Sequence, residues 1–212
     1  MNTMLAKAFL TLCTLSIAKP LLIDYEKFAL GGYIPWKLGK CLVPTVQQNF
    51  QTEKFFKDHW YQQSSYGNFL FQADGICPTV EYKITDAGEI LELDYHFEQM
   101  LMKYISVNGN SYTQFIKDGQ GYLPVTYSIL GGLLSIDVPM FIVGTDYDNW
   151  AVVYSCKQQL FMKAEMSWIM TRSRNSTDQQ QAILDTLQKN NMKITDYIKS
   201  VNVGCGPDEP HL

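Results

Sequence analysis

The chain has 212 residues and a formal net charge of −4, with no local cluster of basic residues. This balance argues against a protein that holds nucleic acid or an anionic membrane surface by electrostatic attraction, because both of those partners are polyanions. The length suits one domain built around one hydrophobic core.

Residues 1–18 have the composition of a secretory signal peptide. Lys7 precedes an apolar run over residues 8–17, and the small residues Ser16 and Ala18 stand where a signal peptidase prefers them. We predict cleavage after Ala18 and a secreted, extracellular protein; a retained N-terminal anchor is the alternative. No later apolar stretch reaches the roughly 18 residues of a membrane-spanning helix, so we expect no integral membrane association.

Residues 19–40 form an N-terminal arm ahead of the main domain, which we place at residues 41–212. The arm contains Pro20 and Pro35 together with several apolar side chains. Two interpretations fit this composition. The arm is either an irregular lead-in that packs on the domain or a flap beside a binding cavity.

Four cysteines remain once Cys13 leaves with the signal peptide: Cys41, Cys77, Cys156 and Cys205. That even number, in an oxidising compartment, predicts two disulfides. Four cysteines allow three pairings, and their spacing does not choose among them. A zinc site is disfavoured, because none of the four lies in a C-x-x-C pair.

Short runs rich in β-branched and aromatic residues alternate with turn-forming residues along the domain, which is the pattern of a barrel or a sandwich. Turn signals include residues 86–88 and 108–110, where Gly, Asn and Asp are concentrated. We predict eight strands, near residues 60–66, 77–84, 90–97, 101–107, 122–130, 139–145, 150–156 and 164–172.

Leu93 and Tyr95 belong to a run in which apolar and polar residues alternate strictly. One face of that strand should therefore be buried and the other should face water. On this interpretation Glu92 lies on the wet face, at the surface. The alternation around Tyr82 likewise turns that side chain inward.

We predict one helix, from residue 178 to about residue 190. Thr177 and Gln180 have the spacing of a capping box, and Asp178 suits the positive end of the helix dipole. The helix carries an apolar stripe that has to pack on another element, formed by Ile183, Leu184 and Leu187.

Asn175 begins a glycosylation sequon, since Ser176 and Thr177 follow it. The sequon lies in the polar connection just before the predicted helix. We therefore predict that Asn175 is exposed and glycosylated in a eukaryotic secretory pathway.

Three motifs occur in order along the chain. Trp60 stands near the start of the folded region, residues 144–147 read Gly-Thr-Asp-Tyr between two apolar strands, and Trp168 and Arg172 precede the helix. Together with the order of the cysteines, these motifs resemble the signature regions of the lipocalins, most closely the group of apolipoprotein D and the insect bilin-binding proteins. The resemblance implies a mainly β fold: an eight-stranded antiparallel up-and-down barrel with one C-terminal α-helix packed outside.

The resemblance also implies structural roles for single residues. Trp60 and Arg172 should meet at the closed end of the barrel, with the guanidinium over the indole. Asp58 departs from the family pattern, because it stands where a glycine is expected. The other signature residues are Thr145, Asp146 and Tyr147, with Asp146 expected as a turn acceptor and not as a general base. The implied disulfides are Cys41–Cys156 and Cys77–Cys205.

A barrel that is closed at one end leaves a cup that suits one small apolar ligand. The resemblance ranks Tyr82 and Trp168 first among the residues that line it. The expected ligand-binding residues all lie on predicted strands: Tyr82, Leu93, Tyr95, Tyr104, Tyr127, Phe141 and Trp168. We therefore expect a secreted carrier that binds and transports one small hydrophobic molecule, such as a lipid, sterol, retinoid, bilin or carotenoid.

Catalysis is not expected of this chain. His59, His96 and His211 are scattered along the sequence, and neither a Gly-x-Ser-x-Gly nor a His-Glu-x-x-His motif occurs. We expect no catalytic residue, no cofactor and no metal. The alternative to a carrier is an extracellular regulatory or signalling lipocalin that binds a receptor or another protein partner through its loops.

Overall fold

The computed structural model describes residues 36–67 and 75–212. Within them the chain forms ten strands, two α-helices and three short 3₁₀ turns. The strands are β1 (Lys37–Leu38), β2 (Asp58–Tyr66), β3 (Ile76–Ile84), β4 (Glu89–Glu98), β5 (Lys103–Tyr112), β6 (Tyr122–Ile129), β7 (Leu134–Thr145), β8 (Trp150–Gln159), β9 (Met162–Thr171) and β10 (Ile198–Lys199). The helices are α1 (Thr52–Phe55) and α2 (Gln181–Lys189), and the 3₁₀ turns lie at Thr113–Phe115, Leu130–Gly132 and Ile194–Asp196.

The strands β2 to β9 form a closed antiparallel barrel. Each of them pairs with the next one along the chain, and β9 returns to pair with β2. Thr171 marks the closure, since it lies opposite Tyr61 of β2 on one side and Trp150 of β8 on the other. The predicted fold, with eight strands in up-and-down order and one C-terminal helix outside, is confirmed.

The short strands β1 and β10 extend this sheet without changing the barrel. The predicted signal peptide and the arm up to residue 35 lie outside the described residues. The last residues of the arm form β1, where Lys37 lies opposite Lys163 and Leu38 opposite Met162. That end of the arm therefore runs along β9 on the barrel wall.

All eight predicted barrel strands are present, with shifted ends, but the turn predicted at residues 108–110 is wrong. These residues lie inside β5, where each of them pairs with β4 on one side and with β6 on the other. Hydrogen bonding to two neighbouring strands satisfies the backbone of Asn108, Gly109 and Asn110. That gain outweighs the preference of these residue types for turns.

Helix α2 begins at Gln181, later than predicted, and no side chain caps its first turn. The Thr177 hydroxyl accepts a hydrogen bond from the backbone N–H of Gln179 at 3.1 Å, so it stabilises the preceding turn instead of the helix. Ile183 and Leu187 are buried against the outer side of the barrel wall. Two residues of the predicted stripe therefore pack on the barrel, whereas Leu184 is only half-buried.

Apolar side chains form two layers that are separated by the barrel wall. The inner layer fills part of the barrel and includes the buried rings of Trp60 and Phe56. The outer layer lies between the wall and α2 and includes Leu187. Val152 and Val153 are consecutive residues of β8, and both are buried because they face opposite layers. Among the described residues, no helix has the length and apolar content needed to cross a bilayer.

Two disulfides fasten the ends of the described chain to the barrel. They join Cys41 to Cys156 and Cys77 to Cys205, across sequence separations of 115 and 128 residues. This is the pairing that the resemblance implied. Loops of that size correspond to roughly 4–5 kcal/mol of stabilisation per disulfide in the chain-entropy treatment. The second disulfide holds residues 200–212, the C-terminal tail, against the outside of β3.

Candidate ligand-binding cavity

Trp60 and Arg172 close one end of the barrel. The guanidinium carbon of Arg172 lies 3.6 Å from the centre of the Trp60 ring, a cation–π contact worth about 0.5–2 kcal/mol. The indole is fully buried, and its N–H donates a hydrogen bond to the Phe55 carbonyl at 3.0 Å. The contact is the one that the resemblance implied.

The Arg172 guanidinium also donates hydrogen bonds to backbone carbonyls of three neighbouring segments. The acceptors lie in α1, at the start of β2 and in the β7–β8 turn: Lys54, Phe55, Lys57, His59 and Tyr147. Burial lowers the pKa of Arg172 to about 10, so the side chain keeps its charge at neutral pH. Arg172 therefore ties the closed end together and has a structural role.

Asp58 occupies the position where the resemblance leads one to expect glycine. Its φ is +50°, in the left-handed region that glycine adopts without strain and that aspartate tolerates better than most residues. Asp58 therefore adopts a backbone conformation that glycine would also adopt.

The turn of Thr145, Asp146 and Tyr147 is held by its own side chains. Asp146 Oδ1 accepts hydrogen bonds from the backbone N–H groups of Asn149 and Trp150, at 2.8 and 3.0 Å. Burial raises the pKa of Asp146, but the hydrogen bonds outweigh burial and leave the pKa below its ordinary value. Asp146 is thus an ionised turn acceptor, as expected, and its proton affinity does not suit a general base.

The barrel encloses a cavity next to this closed end. Its volume is about 40 Å³, enough for roughly three water molecules. Apolar and aromatic side chains dominate the lining, and three of them are methionines: Met140, Met166 and Met170. Because methionine side chains are flexible, this wall can adapt to a ligand larger than the cavity itself.

Two carboxyl groups interrupt the apolar lining. Glu92 and Asp94 are alternate residues of β4, so both side chains point into the barrel, where they are 3% and 8% exposed. The Tyr127 hydroxyl donates a hydrogen bond to Glu92 Oε1 at 2.5 Å. None of the lining residues in the described part of the chain is a lysine, arginine or histidine. Among the described residues, the cavity wall therefore offers the carboxyl pair no basic side chain.

Gly109 makes the contact between Tyr127 and Glu92 geometrically feasible. Glu92 on β4 lies opposite Gly109 on β5, and Gly109 in turn lies opposite Tyr127 on β6. The Tyr127 ring can thus reach across β5, because the residue between the two partners has no side chain. A β-carbon at Gly109 would lie 3.0 Å from Cε1 of Tyr127, so even alanine would press on the ring.

Burial controls the protonation of the carboxyl pair. It raises the pKa of Glu92 well above its ordinary value, and the neighbouring Asp94 charge raises that pKa further. Burial also raises the pKa of Asp94, to about 7. Two carboxyl groups this close titrate as a pair. At neutral pH the pair retains at least one proton, so the cavity presents both a hydrogen-bond donor and an acceptor.

Three of the seven expected ligand-binding residues line this cavity: Tyr82, Tyr127 and Trp168. Tyr82 also packs against Phe56 near the closed end, and the centres of the two rings are 5.0 Å apart. Burial raises the pKa of Tyr82 and of Tyr127 well above the ordinary tyrosine value. Both hydroxyl groups therefore stay protonated and are able to donate hydrogen bonds.

The other four expected residues lie outside the barrel, so those predictions are wrong. On β4 and β5, Tyr95 donates a hydrogen bond to Glu209 at 2.8 Å and Tyr104 donates one to the Gly206 carbonyl at 2.7 Å. Both acceptors belong to the C-terminal tail. Leu93 shares the outward face of β4 with Tyr95.

Phe141 is the fourth of these residues, and it belongs to the outer apolar layer. Its ring packs against Tyr122 and Tyr154, at centre distances of 4.9 and 6.0 Å. Met140 and Ile142, its neighbours on β7, belong to the inner layer, so the regular alternation of the strand turns Phe141 outward.

The prediction that Glu92 lies on the solvent-facing side of β4 is also wrong. As a result, Glu92 and Asp94 were not predicted as cavity residues. The strict alternation of β4 is present, but its direction is the reverse of the expected one. The apolar face lies outward because the C-terminal tail covers it, and the acidic face lines the cavity. The sequence signal that could have identified them is their spacing, because two carboxyl residues two positions apart on a strand point to the same side of the sheet.

A second and larger cavity, of about 370 Å³, lies outside the barrel between β8, β9 and the segment that follows α2. Glu165 stands in its wall, accepts a hydrogen bond from Tyr154 at 2.7 Å and pairs with Lys163 at 2.6 Å. Burial raises the pKa of Glu165, but these partners outweigh burial and keep the pKa below its ordinary value. Glu165 and Lys163 therefore already pair with each other, and the open polar wall suits an apolar ligand less well than the barrel interior.

The end of the barrel opposite Trp60 is bordered by hairpin tips. In an up-and-down barrel the β4–β5, β6–β7 and β8–β9 connections all lie at one end. Their exposed side chains are largely apolar, and include Met100, Leu133 and Leu160, which are 92%, 82% and 86% exposed. An apolar ligand that enters the barrel from this end would meet an apolar rim first.

The closed end, the cavity inside the barrel and the helix packed outside define a lipocalin-like barrel. The family model named Triabin matches residues 35–183. The chain belongs to this lipocalin-like family.

Individual relatives agree with this family. Apolipoprotein D of Macaca fascicularis is 28% identical over 144 residues, which cover 66% of this chain and 70% of the relative. A solved biogenic amine-binding protein has a TM-score of 0.66 at 18% identity, over 79% of this chain and 91% of its own. Insecticyanin of the tobacco hornworm Manduca sexta also has a TM-score of 0.66, at 16% identity, over 81% and 92% of the two chains. At these identities the two solved structures show a shared fold.

Proposed function

We propose that the protein is a secreted, non-catalytic carrier that binds one compact, mostly apolar molecule in the barrel cavity. The observation that carries this proposal is an apolar and aromatic lining inside the barrel around a pair of buried carboxyl groups, Glu92 and Asp94. Pockets of this kind bind apolar ligands and use a few polar groups to fix their orientation.

The carboxyl pair favours a ligand whose polar end is a protonated amine. A buried carboxylate is costly unless an opposite charge or hydrogen-bond donors accompany it. A ligand ammonium group would supply both, and it would take the place of the proton that the pair retains by itself.

The size of the cavity favours a compact ligand over an extended one. Rigid sterols and bilins and long carotenoids require far more space than about 40 Å³. Rotamer changes of Met140, Met166 and Met170 would widen the cavity at little cost, because methionine packs adaptably. A single aromatic ring with a short amine chain also exceeds this volume, but among the ligand types considered it would require the smallest widening.

An extracellular location is supported by the composition of residues 1–18 and by the two disulfides, which persist in oxidising compartments. Transport also requires reversible binding, which is compatible with a reorganisation confined to a few flexible methionine side chains.

A ligand panel tests the carrier proposal. Fatty acids, retinoids, sterols, bilins and apolar aromatic amines would be titrated while tryptophan fluorescence is recorded, with Trp168→Phe as the control for a signal from the cavity. We expect the aromatic amines to bind with a dissociation constant near 1 µM, roughly −8 kcal/mol. If no compound binds below about 100 µM, roughly −5.5 kcal/mol, the carrier proposal fails and a protein-partner role becomes the better account.

A further inference from the structure

Two histidines that are far apart in the sequence meet on the outside of the barrel. His59 on β2 lies opposite Glu81 on β3 in the strand register. His211, at the end of the C-terminal tail, approaches the same glutamate from above the sheet. The three side chains offer one ligand atom each, and these atoms all lie within 4.8 Å of one another.

The distances suit a shared cation. Glu81 Oε2 lies 3.6 Å from His59 Nε2 and 3.5 Å from His211 Nδ1. In a tetrahedral zinc site the bonds to nitrogen and oxygen are about 2.0–2.2 Å long, which places neighbouring ligand atoms about 3.4 Å apart. Small side-chain adjustments would therefore bring all three atoms to bonding distance of one ion.

Each of the three ligands is positioned by other contacts. The His59 ring stacks on Tyr61, with an angle of 8° between the ring planes. Glu81 Oε2 accepts a hydrogen bond from the backbone N–H of Leu212 at 3.0 Å. This bond holds the end of the C-terminal tail beside the glutamate.

The C-terminal tail is itself anchored just before His211. Cys205 is tied to Cys77 by a disulfide. Both carboxylate oxygens of Glu209 lie 2.8 Å from Arg174 Nη2, a strong charge-assisted contact. His211 is thus held near Glu81 by fixed points in the tail and not by the histidine contact alone.

We propose that His59, Glu81 and His211 form a binding site for a divalent transition-metal ion such as Zn²⁺. Two imidazoles and one carboxylate are ligands that zinc and its first-row neighbours prefer, whereas Ca²⁺ and Mg²⁺ require more oxygen ligands. Three protein ligands leave a fourth position for water. The ion would join β2, β3 and the C-terminal tail.

This site is separate from the barrel cavity. Val80 and Tyr82, the neighbours of Glu81 on β3, line the cavity, so Glu81 points to the opposite side of the wall. The proposal therefore does not depend on the proposed carrier function, and either of them can fail alone.

The test is a calorimetric titration of Zn²⁺ into tag-free, chelator-treated protein, with Co²⁺ absorption as a second readout of coordination. We expect one ion per chain, and an absorption band of tetrahedral Co²⁺ bound to nitrogen and oxygen ligands. His59→Ala, Glu81→Gln and His211→Ala should each weaken the affinity by about tenfold or more, since even indirect supports of a metal site cost 10–100-fold. Glu53→Gln, at an exposed glutamate of α1, is the matched control and should bind like the wild type.

His211→Ala keeps this test decisive, because His211 is exposed and its loss should not affect folding; a thermal melt checks that point. The proposal is overturned if the wild type does not bind Zn²⁺, or if His211→Ala and Glu81→Gln bind it as tightly as Glu53→Gln does.

Discussion

Asp94 and Glu92 show at the scale of single residues how burial decides what a side chain does. The same carboxyl group that would be an ionised surface residue in water becomes a proton-holding group inside the barrel, because the charged form loses its hydration. Asp146 shows the opposite outcome, since backbone N–H groups replace the water that it loses and keep it ionised.

Stability should fall as the pH rises through the range in which Asp94 titrates. Its pKa is raised from 3.8 to about 7, so between these values the folded state holds a proton that the unfolded state releases. The stabilising effect of that proton is complete below about pH 4 and is lost as the pH approaches 7, with a slope of at most about 1.4 kcal/mol per pH unit.

Urea unfolding of wild type and Asp94→Asn at a series of pH values checks this dependence. The free energy of unfolding of the wild type should decrease relative to that of Asp94→Asn between pH 5 and pH 7. Asp118→Asn, at an exposed position, should follow the wild type. A constant difference between the wild type and Asp94→Asn across this range would contradict the raised pKa.

Arg172→Ala should lower the free energy of unfolding by about 2–4 kcal/mol, because the cation–π contact and a set of charge-assisted hydrogen bonds are lost together. Arg172→Lys should recover only part of this loss, since an ammonium group cannot reproduce the planar fork of donors. Chemical denaturation measures the stability, and ligand affinity should change little in either variant. A normal melting curve combined with lost ligand binding would show that Arg172 acts in the cavity and not at the closed end.

At the scale of elements, Glu92, Gly109 and Tyr127 lie side by side on β4, β5 and β6. The pairing of these three strands therefore affects the side chains that line the cavity. Gly109→Ala should push the Tyr127 ring aside and weaken its hydrogen bond to Glu92. We expect a loss of about 1–3 kcal/mol in the free energy of unfolding. The control is Ser106→Ala, at an exposed position on the same strand. Equal stabilities of the two variants in urea would indicate that the ring can move without cost.

The strands could be predicted from the sequence because their signals are local, whereas the contact of Trp60 with Arg172 at the closed end was implied by the resemblance to the lipocalins. The alternation of apolar and polar residues located the strands. The residue types around Thr145 predicted the turn between β7 and β8, and the apolar stripe with Ile183 and Leu187 predicted the helix that packs on the barrel. The direction in which β4 faces could not be predicted, because it depends on what covers each face. The C-terminal tail covers Tyr95 through Glu209, a contact between residues that are remote in sequence.

Residues 108–110 illustrate a second limit of the same kind. Asn and Gly favour turns locally, but pairing with β4 and β6 decides their conformation in the folded chain. The missing side chain of Gly109 leaves the space that the Tyr127 ring occupies. The sequence shows which residue type stands at a position, but it does not show which residue on a neighbouring strand will pack against it.

At the scale of the whole molecule, the barrel wall separates the two proposed binding sites. The cavity with Glu92 and Asp94 lies inside, and the proposed metal site lies outside beneath the C-terminal tail. The two disulfides hold the segments before and after the barrel against its outer surface. Changes in the tail should therefore affect the outer site without altering the cavity.

Asn175 should carry an N-linked glycan when the protein passes through a eukaryotic secretory pathway. The residue is exposed and lies in the turn region before α2, where a glycan would not contact the cavity. Intact mass before and after glycosidase treatment checks this expectation, with Asn175→Gln as the control. A secreted protein whose mass does not change on treatment would contradict it.

The most direct test of the carrier account compares two ligands that differ in charge and match in shape. Calorimetric titration of 2-phenylethylamine and 2-phenylethanol would measure how much the ammonium group contributes. We expect the amine to bind at least tenfold more tightly to the wild type, about 1.4 kcal/mol. This preference should disappear in the Glu92→Gln, Asp94→Asn double variant. If the alcohol binds to the wild type as tightly as the amine, or if the double variant keeps the preference, the carboxyl pair does not recognise the ligand and the account is wrong.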